Sequence, residues 1–514
     1  MKLFAAELNF RTIAEEFELP ERFPEDVHAE ALQATDRHAD QRRDLRDIPF
    51  VTIDPAGSMD LDQAVNIQDA PGVASGISDG GAGTDGGASA DGGGNAARWR
   101  VLYAIADVAA FVDPAGALMA ESLQRGQTMY LPDEPTRLHP AELSEGSASL
   151  LPDQTRPAVV WDILLRADGE VADCTVYRAL IRSVKRFDYT EVEADMKGGT
   201  LHPAIAQLPE VGRARQGSDL RRQAINLRLP SISVERVEAE DGSERYELEI
   251  DERLEMNDFN AELSLLAGMC AGEMMVRAGM GILRTLPPAG AKDIAAFDHG
   301  ARALGFDRSG RPIGELLADI DASTPRGMAL MRDAQSLLRG AGYQHFGLVG
   351  GDVDGADAGA TDDGAAKASE EQPSIHAGIG GHYAHVTAPL RRLVDRFATE
   401  VCLAIASEQP IPEWVTANVE HVLGTMKSSG QTASAVDRAC LGLTEAVVLQ
   451  PWVGQNFNAT VLHSEGKESA KILVEEPPIL TSCAGGPDEA STIKVTLIKA
   501  NPAERKVRFA WPAD

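Results

Sequence analysis

Asp54, Asp60 and Asp62 place three carboxylates within nine residues, with no Lys or Arg between them. Clustered carboxylates repel one another unless a proton or a cation intervenes. A hard cation such as Mg2+, with Mn2+ as a second candidate, meets that need, because it takes oxygen ligands and keeps positions for water and phosphate oxygens. An extended backbone through Asp60-Leu61-Asp62 would point both carboxylates to one side and Leu61 to the other. The competing reading is a solvated acidic turn. An EF-hand loop is excluded: counting from Asp60, the sixth residue is Val65 rather than Gly and the twelfth is Pro71 rather than Glu.

A second chemical stretch runs Gly381-His382-Tyr383-Ala384-His385-Val386-Thr387-Ala388-Pro389-Leu390-Arg391-Arg392-Leu393-Val394-Asp395-Arg396. Pro389 suits the first turn of a helix, which would set Arg391 and Arg392 at its N-terminus, where the dipole favours an anion. An Arg fork grips a phosphate bidentately. The bland alternative is an Arg391–Asp395 ion pair on one helix face. His382 and His385 lack zinc spacing with other ligands and read as hydrogen-bonding or packing residues. No G-x-S-x-G elbow occurs, so a serine hydrolase is not indicated.

The elements that must hold these residues can be read in outline. Phe50–Ile53 is β-prone and ends at Asp54, where Pro55 and Gly57 break the strand. Strands are expected over Gln63–Ile67 and Trp99–Ile105. Between them, residues 69–97 are rich in Gly, Ala, Ser and Asp and read as a disordered insertion, as does 350–372. A helix is expected up to about Gln124. Val159–Leu165 and Val171–Arg178 alternate around Ala167-Asp168-Gly169 as a hairpin, and Leu227–Leu248 does so around Glu240-Asp241-Gly242. A long helix begins near Phe259, and residues 400–450 are helical. Asn458–His463, Ala470–Val474, Ile493–Ile498 and Lys506–Ala510 then read as short strands of a small β-barrel.

These blocks resemble, in order, the catalytic (RNB) domain of the ribonuclease II / ribonuclease R family. Asp54, Asp60 and Asp62 match its T-I-D-x-x-x-x-x-D-x-D-D-A signature, with Gln63 in place of the fourth aspartate. Ile105-Ala106-Asp107-Val108, Arg125-Gly126-Gln127-Thr128-Met129-Tyr130-Leu131-Pro132, Leu138-His139-Pro140-Ala141-Glu142-Leu143-Ser144 and Ala148-Ser149-Leu150 match further blocks, and Arg156 follows as in the family. His345-Phe346-Gly347-Leu348 and the Tyr383–Asp395 stretch complete the series. The resemblance implies an α+β fold: a mixed RNB catalytic domain followed by a C-terminal S1-like OB-fold β-barrel. The expected boundaries are a helical lead-in over 1–46, the RNB domain over 47–400, a helical connection over 401–450 and the barrel over 451–514.

The activity so implied is metal-dependent 3′→5′ hydrolysis of single-stranded RNA to nucleoside 5′-monophosphates. Asp54 and Asp60 would hold Mg2+, with Gln63 offering a neutral carbonyl oxygen where the family has a full charge. Asp62 would position or deprotonate water, and Arg391 would stabilise the developing charge. Tyr189 would stack on the 3′-terminal base, and Glu262 would lie beside the last nucleotides. Arg392 and His385 join the RNA-binding set. Ala261 and Gly268 depart from the family's E-E-x-M-x-x-A-N helix. The rival reading, motivated by Gln63, is a catalytically weakened RNB-fold protein that binds RNA or a protein partner. A small-substrate metal phosphoesterase fits the carboxylates but not the stacking Tyr or the terminal barrel.

At 514 residues the chain holds two or three domains. Its net charge of −31 excludes a broad basic surface for duplexes, while leaving a local channel open. Five cysteines without a C-x-x-C exclude a zinc ribbon or disulfide framework and point to reduced thiols in the cytoplasm. The N-terminus, with Glu7 and Glu15-Glu16, does not read as a signal peptide. No apolar run spans a bilayer. A monomer engaging the 3′ end of single-stranded RNA is the expected assembly.

Overall fold

The computed structural model describes residues 4–5, 8–71, 96–228, 232–238, 244–250, 254–348 and 375–512. The insertion expected at 350–372, most of that at 69–97, and the turn at 240–242 lie outside the described residues.

Five strands, β1 (Arg43–Ile53), β2 (Gln63–Asp69), β3 (Ala97–Ala106), β4 (Thr155–Arg166) and β5 (Val171–Phe187), close into a barrel in chain order. Each neighbour is antiparallel except the closing pair, β1 with β5, which is parallel and sets Ile53 opposite Phe187. Val, Ile, Leu and aromatic residues fill it: Phe50, Val101, Tyr103, Ile105, Trp161 and Ile163 are buried. Such residues suit a pleated, half-buried surface.

Helix Glu255–Ala278 lies beside the barrel and contributes Phe259, Leu263, Leu266 and Met275 to the same core. It is apolar around much of its circumference, as a helix sandwiched between layers must be. Its Gly268 is required by close packing: a Cβ there would come within 2.2 Å of the Tyr383 ring. That contact accounts for Gly at the position where the family pattern has Asn.

Helices Leu393–Ala406 and Glu413–Leu449 follow. The second leads to a C-terminal barrel of β10 (Asn456–Ser464), β11 (Ser469–Val474), β12 (Ile479–Ala484), β13 (Thr492–Asn501) and β14 (Lys506–Ala510), closed in the order β10-β11-β12-β14-β13. Between the two barrels lie the hairpin β6 (Ile232–Glu238) and β7 (Glu244–Ile250), and the pair β8 (Gly281–Thr285) and β9 (Gly342–Phe346). Four strands of the second barrel lie where the sequence pattern places them, and β12 is the fifth, without such a pattern. Its Thr481 and Ser482 blur the apolar alternation, but Ile479 and Cys483 point inward.

One local expectation is corrected. The helix does not open at Pro389 but at Leu393, with Arg392 extended at φ −141° and ψ 117°. Arg391 and Arg392 instead pair with a distant segment: Thr128 N donates to Arg391 O at 3.0 Å, and Leu393 N donates to Gly126 O at 2.9 Å. Long-range pairing overrides the local helix signal. Among the described residues, no helix is long and apolar enough to cross a membrane.

Candidate active site

The acidic loop bridges the end of β1 and the start of β2, at the rim of the first barrel. Asp54 N donates to Phe187 O at 3.1 Å, which ties the loop to the end of β5. Gly57, at φ +84°, makes the turn that Pro55 begins. The far side is pinned by Ser149: its hydroxyl accepts from Leu61 N at 3.0 Å and donates to Met59 O at 2.6 Å, while Leu150 N donates to Leu61 O. Leu61 is fully buried, so the flanking Asp60 and Asp62 are held on the opposite side of the chain, as the alternation requires.

Asp62 is 3% exposed. Its Oδ1 accepts from Leu390 N at 2.8 Å, and its Oδ2 lies 3.5 Å from Arg391 Nε. Burial pushes its carboxyl up to about 8, against the pull of Arg391 and Leu390 N–H, with Asp60 and Asp395 adding to the rise. Burial likewise raises Asp54 to about 6, Arg391 opposing and Asp60 reinforcing. Tyr130 OH sits 3.4 Å from Asp60 Oδ2, which joins the third carboxylate to the same patch. Arg186 Nη1 braces the loop from below through Ser58 O at 2.6 Å.

Arg391 and Arg392 divide their roles. Arg391 faces Asp62 with nearly half its side chain exposed. Arg392, not Arg391, takes Asp395: it donates through Nε and, at 2.7 Å, through Nη2. Asp395 is completely buried and also accepts from Ala388 N at 2.7 Å, so this pair shapes the loop that presents Leu390 and Arg391.

Gln63 is engaged at both ends. Its Oε1 accepts from Tyr103 OH and its Nε2 donates to Thr387 O at 2.8 Å; Thr387 in turn meets Ser264 on the long helix at 2.9 Å. The side chain therefore ties β2 and β3 to the Arg391 loop. Tyr189 is half-buried at the start of helix Tyr189–Gly198, its OH accepting from Asn260 Nδ2 at 3.1 Å.

Two expected RNA contacts are placed differently. Glu262 is 3% exposed and locked in a bidentate pair with Arg221, at 2.9 and 3.0 Å; Arg221 also donates to Ile379 O. His385 Nδ1 bonds Tyr343 OH at 2.8 Å within an edge-to-face cluster with Tyr383. Burial, reinforced by Arg392 and Arg284, holds this imidazole well below its usual range, and hence neutral.

Sequence reasoning missed Tyr130, Ser149, Tyr103 and Thr387 as site residues. Tyr130 and Ser149 stood inside recognised blocks and were legible there. Tyr103 looked like any strand aromatic, and Thr387 acts through its backbone carbonyl, which no residue type betrays.

A two-barrel α+β chain with an acidic loop at the rim of the first barrel defines the class: an RNB domain with an S1 domain behind it. The sequence matches the RNB domain over residues 42–405 and the RNase II-type exonuclease C-terminal S1 domain over 455–511. The chain belongs to the RNB family.

Ribonuclease R of Chlamydia muridarum is 24% identical over 468 residues, covering 88% of this chain and 58% of that protein. Ribonuclease R of Acidithiobacillus ferrooxidans is 34% identical over 184 residues, 35% of this chain and 36% of that protein. The chain thus spans less than two thirds of these relatives' length. Among solved structures, Mycoplasma genitalium RNase R in its apo form overlays with a TM-score of 0.77 at 17% identity, covering 98% of this chain and 77% of that one. Yeast Ssd1, a pseudonuclease, overlays at 0.63 and 15% identity, covering 91% and 54%. At these identities the overlays establish the fold.

Proposed function

We propose that the chain is a divalent-metal-dependent exoribonuclease that removes nucleoside 5′-monophosphates from the 3′ end of single-stranded RNA. The observation that carries this reading is Asp62 held between Leu390 N–H and Arg391 beside two further carboxylates. A scaffold has no use for a buried acid aimed at a half-exposed guanidinium.

The residues fit a hard cation. Asp54 Oδ2 and Asp62 Oδ2 are buried and make no hydrogen bond, and burial holds both acids protonated above the ordinary carboxylate range. Asp54 and Asp60 would hold Mg2+ or Mn2+, with Gln63 beside them. When bound, such an ion makes water more acidic and offsets charge on the phosphate.

The chain's own groups do the rest. Once ionised, Asp62 orients the attacking water through Oδ2 and takes its proton, while Oδ1 stays fixed on Leu390 N. Arg391 faces the oxygens on which charge develops, where a preorganised donor counts most. The Tyr189 ring offers a stacking face that accepts any base, consistent with a sequence-tolerant exonuclease. Arg392 and His385 support this loop, and Glu262 holds Arg221 at its edge. M. genitalium RNase R has been solved with single-stranded and with double-stranded RNA, which supports RNA as the substrate class.

A second reading, an RNB-fold binding protein, is favoured by Gln63, whose carbonyl is already taken by Tyr103. Product analysis separates the two. Incubating unlabelled oligoribonucleotide with Mg2+ should release 5′-mononucleotides, and EDTA should stop the release. RNA binding without release in either Mg2+ or Mn2+ contradicts the enzyme.

A further inference from the structure

Away from the rim, three side chains from three elements converge where the C-terminal barrel meets the helical segment before it. Asp333 comes from helix Pro325–Ala334, His463 from β10, and Glu489 from the turn ahead of β13. Among the described residues, these form the one group of three or more His, Cys, Asp or Glu side chains whose donor atoms all lie within 4.8 Å of one another. Asp54, Asp60 and Asp62 do not draw together so closely.

The distances are those of a coordination shell. His463 Nδ1 lies 3.2 Å from Asp333 Oδ1 and 3.2 Å from Glu489 Oε2. Donors bound to a zinc-class ion at ~2.1 Å stand roughly 3.4 Å apart in a tetrahedron. The Nδ1 atom is sealed from solvent and makes no hydrogen bond. That nitrogen faces two carboxylate oxygens from two other segments, a donor set that one cation satisfies together.

Each donor is also held in place. β10 shifts register between Val461 and His463, a bulge that re-aims the side chain. Glu489 Oε2 accepts from Ser464 N at 3.0 Å. Asp333 Oδ2 sits over Gly300, where a Cβ would come within 2.8 Å of it, leaving Oδ1 to face His463. The group lines a groove of about 1010 Å3, so water or another ligand has access to a fourth position.

We propose that Asp333, His463 and Glu489 bind a transition-metal dication of the zinc class, bridging the C-terminal barrel to helix Pro325–Ala334. One nitrogen and two oxygen donors suit such an ion better than Mg2+, which prefers an all-oxygen octahedron and keeps its waters. This site is separate from the catalytic carboxylates and stands whether or not the chain cuts RNA.

The test is titration calorimetry of the EDTA-stripped full chain with Zn2+, in an Asp54→Asn/Asp60→Asn background that removes the rim site, with Mg2+ as control. One Zn2+ per chain is expected. His463→Ala and, as an isosteric variant that keeps packing, Glu489→Gln should each weaken it ~100-fold or more. No Zn2+ binding by the parent overturns the proposal. Binding undiminished in both variants overturns it equally.

Discussion

At Asp62, burial, a backbone donor and a guanidinium act on one carboxyl. Asn in its place keeps an oxygen for Leu390 N but cannot accept water's proton. Asp62→Asn should therefore lower the degradation rate by ~10^3-fold, with single-stranded RNA affinity within a few-fold of the parent, measured by single-turnover cleavage and filter binding. Arg391→Lys keeps the charge but loses the fork, and should cost ~10^2-fold in kcat with little change in KM. Gln63 has a different kind of role. Because Tyr103 OH and Thr387 O consume both its ends, Gln63→Ala and Tyr103→Phe remove the same link. Their stability losses, ~1–2 kcal/mol each in urea unfolding, should fall short of additivity by about 1 kcal/mol when combined. Additive losses would show that the hydrogen bond does not couple them. The aspartates were legible because like charges at that spacing need an explanation. The Gln63 brace was not, since both its partners come from far along the chain.

At the scale of elements, the site depends on segments outside the acidic loop itself. Ser149 holds the acidic loop through Leu61 N and Met59 O. Ser149→Ala leaves a buried donor and acceptor unpaired, which should cost ~1–3 kcal/mol and lower kcat as the loop loosens. The long helix Glu413–Leu449 carries Glu445, which burial pushes up to about 8 from 4.5. Between those values the folded chain binds a proton that the unfolded chain has lost, so stability falls as pH rises through that window. Glu445→Gln should leave thermal stability almost unchanged at pH 5 and raise it at pH 8 by ~2 kcal/mol. No gain at pH 8 would mean that the carboxylate finds water in the folded chain. Strands Gln63–Asp69, Ala97–Ala106 and Val171–Phe187 and the helix Glu255–Ala278 were readable from residue pattern. The start of the helix after Arg392 was not, because pairing with Gly126–Thr128 decides it.

Over the whole molecule, two five-stranded barrels joined by helices carry a net charge of −31. Arginine is used largely for internal pairing: Arg392 with Asp395, Arg221 with Glu262, and Arg178 with Asp107 and Glu400. Few phosphates are then neutralised, and log affinity for single-stranded RNA against log salt should have a slope of about −2 rather than a steep one. The RNB blocks and the C-terminal barrel were visible in motif order and strand spacing, whereas closure of the first five strands into a barrel was not. The strand Ile479–Ala484 and the Asp333–His463–Glu489 group were not, since closure of a barrel and the meeting of distant segments leave no local pattern. If the rim carboxylates hydrolyse RNA from one end, a 5′-labelled single-stranded oligoribonucleotide in Mg2+, incubated beside Asp62→Asn, records it. A ladder shortening one nucleotide at a time from the 3′ end, abolished by the substitution, is the predicted result. Intact label with the parent chain in both Mg2+ and Mn2+, or a ladder that Asp62→Asn leaves unchanged, would contradict it.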